Sequence, residues 1–211
     1  GTDQWAESPS RSQSESNSPK SLTTALMRMR TLNLKISACL QCSLGETRLN
    51  AVPGSGFSNI ALIGEAPGYY EDKQGLPFVG KSGQYLSELL AKCNLKVSDI
   101  WIGNVLCCRP PNNRDPSDTE IKTCSNWLRQ RLNILNPDLI ICAGRYSTNL
   151  FFPHARMKEL HGKLRRLPNG TILFVTYHPA AALYDPTKRE LIEADFTAIK
   201  PLINKIKQAK R

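Results

Sequence analysis

A chain of 211 residues, 40% of them hydrophobic, is about one domain and long enough to bury a sizeable core. No apolar run approaches the roughly 18 residues that a membrane span needs, which excludes a transmembrane helix. The formal net charge of +10, from 28 Lys and Arg against 18 Asp and Glu, points to a polyanionic partner, nucleic acid above all. A solvated basic face that only aids solubility is the plainer alternative.

The chain opens on Gly1 rather than methionine and shows no charged-then-apolar signal region, so a trimmed or tagged start is expected. Residues 1–20 carry serine at nearly every second position from Ser8 to Ser18. Such a composition buries too little apolar surface to offset its ordering entropy. A disordered Ser-rich tail is therefore expected over 1–20 and one folded domain over 21–211. From Ser21, SLTTALMRMRTLNLKI spaces its apolar residues for a helix with Ser21 as N-cap. After CLQC and a loop through Val52, Pro53 and Gly54, NIALIG reads as a buried strand closed by glycine. Ser82 to Leu95 predicts a helix with Leu86, Leu89 and Leu90 on one face, and IWIGNVL a second strand. Ser117 caps a predicted helix through TEIKTCSNWLRQRLNIL. DLIICAG and TILFVTYHP read as the third and fourth strands, and Pro186 to about Lys207 as a long helix with a basic end.

Strands alternating with helices predict an α/β fold whose parallel sheet is covered on both faces. Ligands in such folds bind beyond the carboxyl ends of the strands. Those ends lead directly into GEAPG, GNVLCCRPPNNR and TYHPAAALY, so three unusual loops should meet at one edge.

Seven cysteines in an α/β-like chain suggest a reducing compartment, where clustered thiols bind metal more often than they form bridges. Cys39 and Cys42 form C-x2-C, a spacing that lets two thiolates from one turn reach one metal centre. Cys108 and Cys124 can supply two more, with Cys107 an adjacent substitute for Cys108. Spacing alone leaves a structural zinc site and an iron–sulfur cluster both open. Cys93 and Cys142 read as ordinary core cysteines.

Phe78, pinned between Pro77 and Val79, can offer its face to a planar ring or simply close the core. Asn104 carries a donor and an acceptor on one planar amide, suited to a base edge or to an Asx-type cap. His178, at the end of the fourth strand, is either hydrogen-bonded structure or chemistry. Glu65, Glu71 and Asp72 can cap the following helix or balance local arginines.

GEAPGYYEDKQGLPFVG, NVLCCRPPNNRDP and YHPAAALY, with cysteines at 39, 42, 108 and 124, resemble the family 4 uracil-DNA glycosylases, the iron–sulfur members of their superfamily. The resemblance runs from about residue 36 to 205. It implies a four-stranded parallel sheet flanked by helices, a three-layer α/β/α domain, and a [4Fe–4S] cluster on Cys39, Cys42, Cys108 and Cys124 that is structural rather than catalytic. It implies removal of uracil from DNA as the first step of base excision repair, acting on a nucleotide flipped out of the stack. In that scheme Phe78 stacks on uracil, Asn104 reads its edge against cytosine, and backbone from Gly64 through Glu65 to Ala66 lines the pocket. His178 donates a hydrogen bond to the departing base. Where family 1 enzymes hold an aspartate, this chain has Ala66, so the acid that positions water is expected at Glu71 or Glu65, with Glu71 preferred. Glu71 has the alternative duty of crowding out the 5-methyl of thymine.

Leu183 is expected as a wedge in the emptied stack. Tyr184 stands where the family commonly has arginine, which implies an altered grip on DNA. The implied partner is uracil-containing DNA, single- or double-stranded, with no membrane, a monomer as the working form, and an intracellular location in cytoplasm or nucleoid, an organelle remaining open. Two rivals stand beside this. One is a covalent uracil-DNA-binding protein of the same superfamily, disfavoured because CRPPNNRDPSD lacks a KRRIH-like insertion. The other is a non-catalytic iron–sulfur or zinc module of a repair or polymerase complex.

Overall fold

The computed structural model describes residues 19–209. The Ser-rich tail expected over 1–20 thus lies outside the described residues, except for the two that open the first helix. That helix, α1, runs Pro19–Ser37, starting before the expected Ser21 cap. A short α2, Leu44–Thr47, follows the CLQC segment.

Five strands form the sheet: β1 Ile60–Gly64, β2 Trp101–Asn104, β3 Leu139–Ala143, β4 Leu164–Arg166 and β5 Ile172–Thr176. Their order is β2-β1-β3-β5-β4. The four apolar strands are parallel, as the sequence pattern predicts. The expected four-stranded sheet is corrected by β4, which pairs antiparallel with β5 at the edge. Its sequence LRR is exposed throughout, so it carries no apolar pattern by which a strand could be read.

Alternation within the strands sends side chains to two separate cores. Ala61, Ile63, Ile140 and Val175 pack with Met29, Leu32 and Ile36 of α1 and with Leu128, Leu132 and Leu135 of α5, Asp118–Leu135. Ile60, Leu62, Ile141 and Phe174 pack with Leu86, Leu89 and Leu90 of α4, Lys81–Lys92, and with Ile192, Phe196 and Ile199 of α8, Pro186–Gln208. The result is helix, sheet, helix. Emptying such a site, as in Phe196→Ala, costs about 3–5 kcal/mol through lost transfer energy and the cavity left behind.

Local signals fix the ends of the elements. Ser117 Oγ accepts the N–H of Glu120, and the Glu120 carboxylate accepts the N–H of Ser117, a reciprocal cap that starts α5. Asn136 ends that helix in the left-handed region at φ 44°. A short α3, Tyr69–Gln74, lies between β1 and α4, and α6, Arg145–Phe151, and α7, Met157–Leu160, lie between β3 and β4. Because β2 and β3 lie on opposite sides of β1, the chain reverses its winding at β1, and a crevice opens there beyond the carboxyl ends.

Candidate active site

Gly64 and Asn104 end β1 and β2 in direct register. A Cβ on Gly64 would run into the Asn104 carboxamide and would stand 2.7 Å from Phe78 Cζ. Only glycine lets these two side chains close over the end of β1. The loops are also tied by backbone, since Val105 N–H donates to Gly64 O at 3.1 Å and Leu106 N–H to Glu65 O at 3.0 Å.

Phe78 has φ 54°, a conformation that a bulky side chain adopts only when its surroundings impose it. The imposing group is Glu71. Its Oε1 accepts the N–H groups of Val79 at 2.9 Å and Gly80 at 2.8 Å, and its Oε2 accepts Gly68 N–H at 3.1 Å. One buried carboxylate thus closes the whole stretch from Gly68 to Gly80 on itself. Gly83 allows α4 to press against the Phe78 carbonyl, where any Cβ would collide.

His178 follows β5 and caps the 3-10 helix Pro179–Leu183. Its Nδ1 lies 3.2 Å from the N–H of Ala180 and accepts it, which puts the ring proton on Nε2. Burial pushes its pKa down to about 4, and the Glu71 carboxylate pulls the other way, so the ring is neutral at physiological pH. The imidazole lies nearly parallel to the Phe78 ring, with centroids 5.8 Å apart and planes 25° apart. Gly144, at φ 98°, makes room for it, because a Cβ there would stand 3.0 Å from His178 Cβ.

Glu65 is half-buried beside an ion pair of Arg145 with Asp115. Burial pushes its carboxyl up from the ordinary value, Asp115 adds to this, and Arg145 opposes it. Ala66 is half-buried and packs toward the α1/α5 core. Leu183 and Tyr184 end the turn after His178, and Tyr184 is 88% exposed.

The fold therefore brings Gly64, Phe78, Asn104 and His178 together, with Glu71 behind the loop and Glu65 at its side. Sequence reading did not single out Arg145, Asp115 or Gly144. For Gly144 a signal existed, a glycine directly after an apolar strand; the Arg145–Asp115 pair joins positions too far apart in sequence to suggest itself.

The cysteines gather beneath these loops. Cys42, Cys107, Cys108 and Cys124 belong to the α1/α5 core. Arg48 Nη1 donates to Cys39 O at 2.9 Å and to Cys108 Sγ at 3.0 Å, and Cys107 N–H donates to Cys124 Sγ at 3.3 Å. Among the described residues, no three His, Cys, Asp or Glu side chains stand close enough to hold a single metal ion. Cys93 is buried in the opposite core, its Sγ donating to Phe196 O at 3.2 Å, and Cys142 is buried in β3 within the α1/α5 core.

A sequence model described as the uracil DNA glycosylase superfamily matches residues 54–201. The chain is 42% identical to a type-4 uracil-DNA glycosylase of Saccharolobus solfataricus, covering 81% of this chain and 84% of the relative. It is 40% identical to one from Archaeoglobus fulgidus, over 81% of this chain and 91% of the relative. A third, from Thermotoga maritima, is 33% identical over 84% and 95%.

Proposed function

The chain belongs to the uracil-DNA glycosylase superfamily, in its type-4 group, and on that footing we propose that it removes uracil from DNA by hydrolysing the glycosidic bond, the opening step of base excision repair. The observation that carries this reading is the meeting of Phe78, Asn104 and His178 over Gly64 at one sheet edge. A duplex hides its glycosidic bonds, so the target nucleotide must leave the stack to reach this pocket. Phe78 stacks on the flipped uracil. The Asn104 amide pairs with its edge, and cytosine, with donor and acceptor exchanged, leaves buried polar groups unpaired.

As the bond between C1′ and N1 breaks, its electron pair departs with the base. His178 Nε2–H donates to the uracil oxygen on which that charge collects, a neutral donor held in place by the Nδ1 bond to Ala180. Water attacks C1′, its oxygen forming the new bond, and its proton passes to the carboxylate that holds it and on to the departing uracil anion. Both Glu71 oxygens already accept backbone N–H groups, which favours Glu65 for holding that water and Glu71 for shaping the loop around Phe78. Leu183 enters the vacated stack and Tyr184 meets the strand.

The thiols of Cys39, Cys42, Cys108 and Cys124 fit a [4Fe–4S] cluster. The donor set is all sulfur, and N–H groups of Arg48 and Cys107 already point at two of the sulfurs. A four-iron cube spreads its ligands over four metal atoms, so it does not ask the thiols to converge as one zinc ion would. When bound, the cluster supplies a cross-link between the CLQC segment, the β2 loop and α5, beneath the pocket.

A monomer is proposed as the working form, and DNA as substrate supports an intracellular setting. Among the described residues no helix is long and apolar enough to cross a membrane. The domain is proposed to begin at about residue 21. The test is incubation with oligonucleotides carrying one uracil, thymine or cytosine, single-stranded and paired. An alkali-labile site at uracil alone is expected; a site at none of them would overturn the reading.

A further inference from the structure

Beside the pocket stands a patch that cutting the glycosidic bond does not itself require. Tyr69 and Tyr70 open α3 and are 49% and 58% exposed, while the next two residues, Glu71 and Asp72, are buried. Large rings on a surface normally rotate freely, yet these two are held. They meet edge to face, with centroids 5.4 Å apart and planes at 81°. The Arg109 guanidinium lies over the Tyr69 ring, 5.2 Å from its centroid, and its Nε donates to Asn113 Oδ1 at 2.7 Å. Tyr70 runs along Gly80, where a Cβ would stand 3.8 Å from Tyr70 Cδ2. Gly80 N–H is one of the groups that Glu71 holds, so Tyr70 and Phe78 are mounted on the same clamped loop.

We infer that Tyr70 and Arg109 form a subsite for the nucleotide next to the flipped deoxyuridine: Tyr70 stacks on the neighbouring base, Arg109 holds its phosphate, and Tyr69 keeps Arg109 in place. This rests on the uracil-DNA reading and adds the strand segment it grips. The charge fits, since Arg109 is a fixed cation on a chain of net charge +10. The chemistry also sets the form of the DNA. In a duplex, flipping bares only the neighbour's face toward the vacated position, which Leu183 enters, and the next base pair still covers the other face. Tyr70 thus stacks on that base only where the strand is unpaired. The subsite therefore favours single strands, and it tolerates any base because each has a π-face.

The test uses the full chain and a single-stranded oligonucleotide with 2-aminopurine beside a non-cleavable 2′-fluoro-deoxyuridine, placed on each side in turn. On one side, the wild-type complex should be dimmer than the Tyr70→Ala complex, with Tyr70→Phe restoring the quenching. Tyr70→Ala should weaken single-strand binding by roughly 5- to 100-fold and raise KM more than it lowers kcat. Arg109→Gln should reduce the salt slope of binding by about 0.7, the value for one phosphate on a single strand. Melting of each variant reports its folding. If folded Tyr70→Ala binds and quenches as wild type does, the patch is not a nucleotide subsite and serves another partner, such as a protein. Wild-type excision of ordinary deoxyuridine, run beside it, separates the two levels: excision with an indifferent Tyr70→Ala overturns only the subsite, and no excision overturns the reading beneath it.

Discussion

Nδ1 of His178 accepts the backbone N–H of Ala180 at 3.2 Å, and this bond decides which ring nitrogen faces the pocket. A ring so fixed works as a neutral hydrogen-bond donor. Its pKa, pushed down to about 4 by burial, predicts that the catalytic contribution proposed for it stays flat from pH 8 down to pH 5, which a pH profile of single-turnover rates checks.

The same shift predicts a stability effect of definite sign. The unfolded chain binds a proton at His178 near the ordinary value of 6.5, and the folded chain does so only near 4. Between those values the unfolded state holds more protons, so stability falls as pH falls through the window, by up to about 3 kcal/mol for this group. Urea unfolding of wild type and His178→Gln at pH 7 and pH 4.5 checks it, and the variant should lose less stability on acidification.

Glu71 and Glu65 separate by kind of damage. Glu71→Ala leaves three backbone N–H groups without their acceptor and should lower stability by about 2–4 kcal/mol, seen as a lower Tm together with weaker activity. Glu65→Gln keeps the fold and should lower kcat with Tm nearly unchanged. Melting curves beside single-turnover rates decide it; a Glu65→Gln enzyme at wild-type kcat would remove Glu65 from the chemistry.

Much of this was legible in the sequence, and the limits have physical causes. NIALIG and DLIICAG are continuous apolar runs because both sheet faces are covered, and that burial is what the pattern reports. The three loops were legible because strand ends deliver them to one edge. The strand Leu164–Arg166 was not, since an exposed edge of three residues needs no apolar side chain. Nor was the role of Glu71, whose acceptors' partners lie up to nine residues away in a loop that closes only when folded. Phe78 was singled out as a ring, but its left-handed backbone depends on Glu71 and Gly83, which no local pattern announces.

The cysteines allow a direct ligand test. Cys108→Ala should lose most of the iron and the visible absorbance and lower Tm, whereas Cys107→Ala should retain iron. The reverse result would assign the ligand to Cys107. Iron and sulfide assays on variants purified without oxygen read this out independently of activity.

Tyr184, exposed and uncharged, offers a ring where an arginine would offer charge. Tyr184→Arg should tighten DNA binding and raise the salt slope by about 0.7 to 0.9, the value for one phosphate. Binding isotherms at several salt concentrations measure it, and an unchanged slope would place Tyr184 away from the phosphates.

The most direct measurement is single-turnover release of free uracil from an oligonucleotide with one deoxyuridine, by wild type, Asn104→Ala and His178→Ala. Free uracil from the wild type is expected, slowed on the order of 100-fold or more in each variant. A folded, iron-loaded wild type that releases no uracil, or variants that match its rate, would contradict the assignment of this pocket.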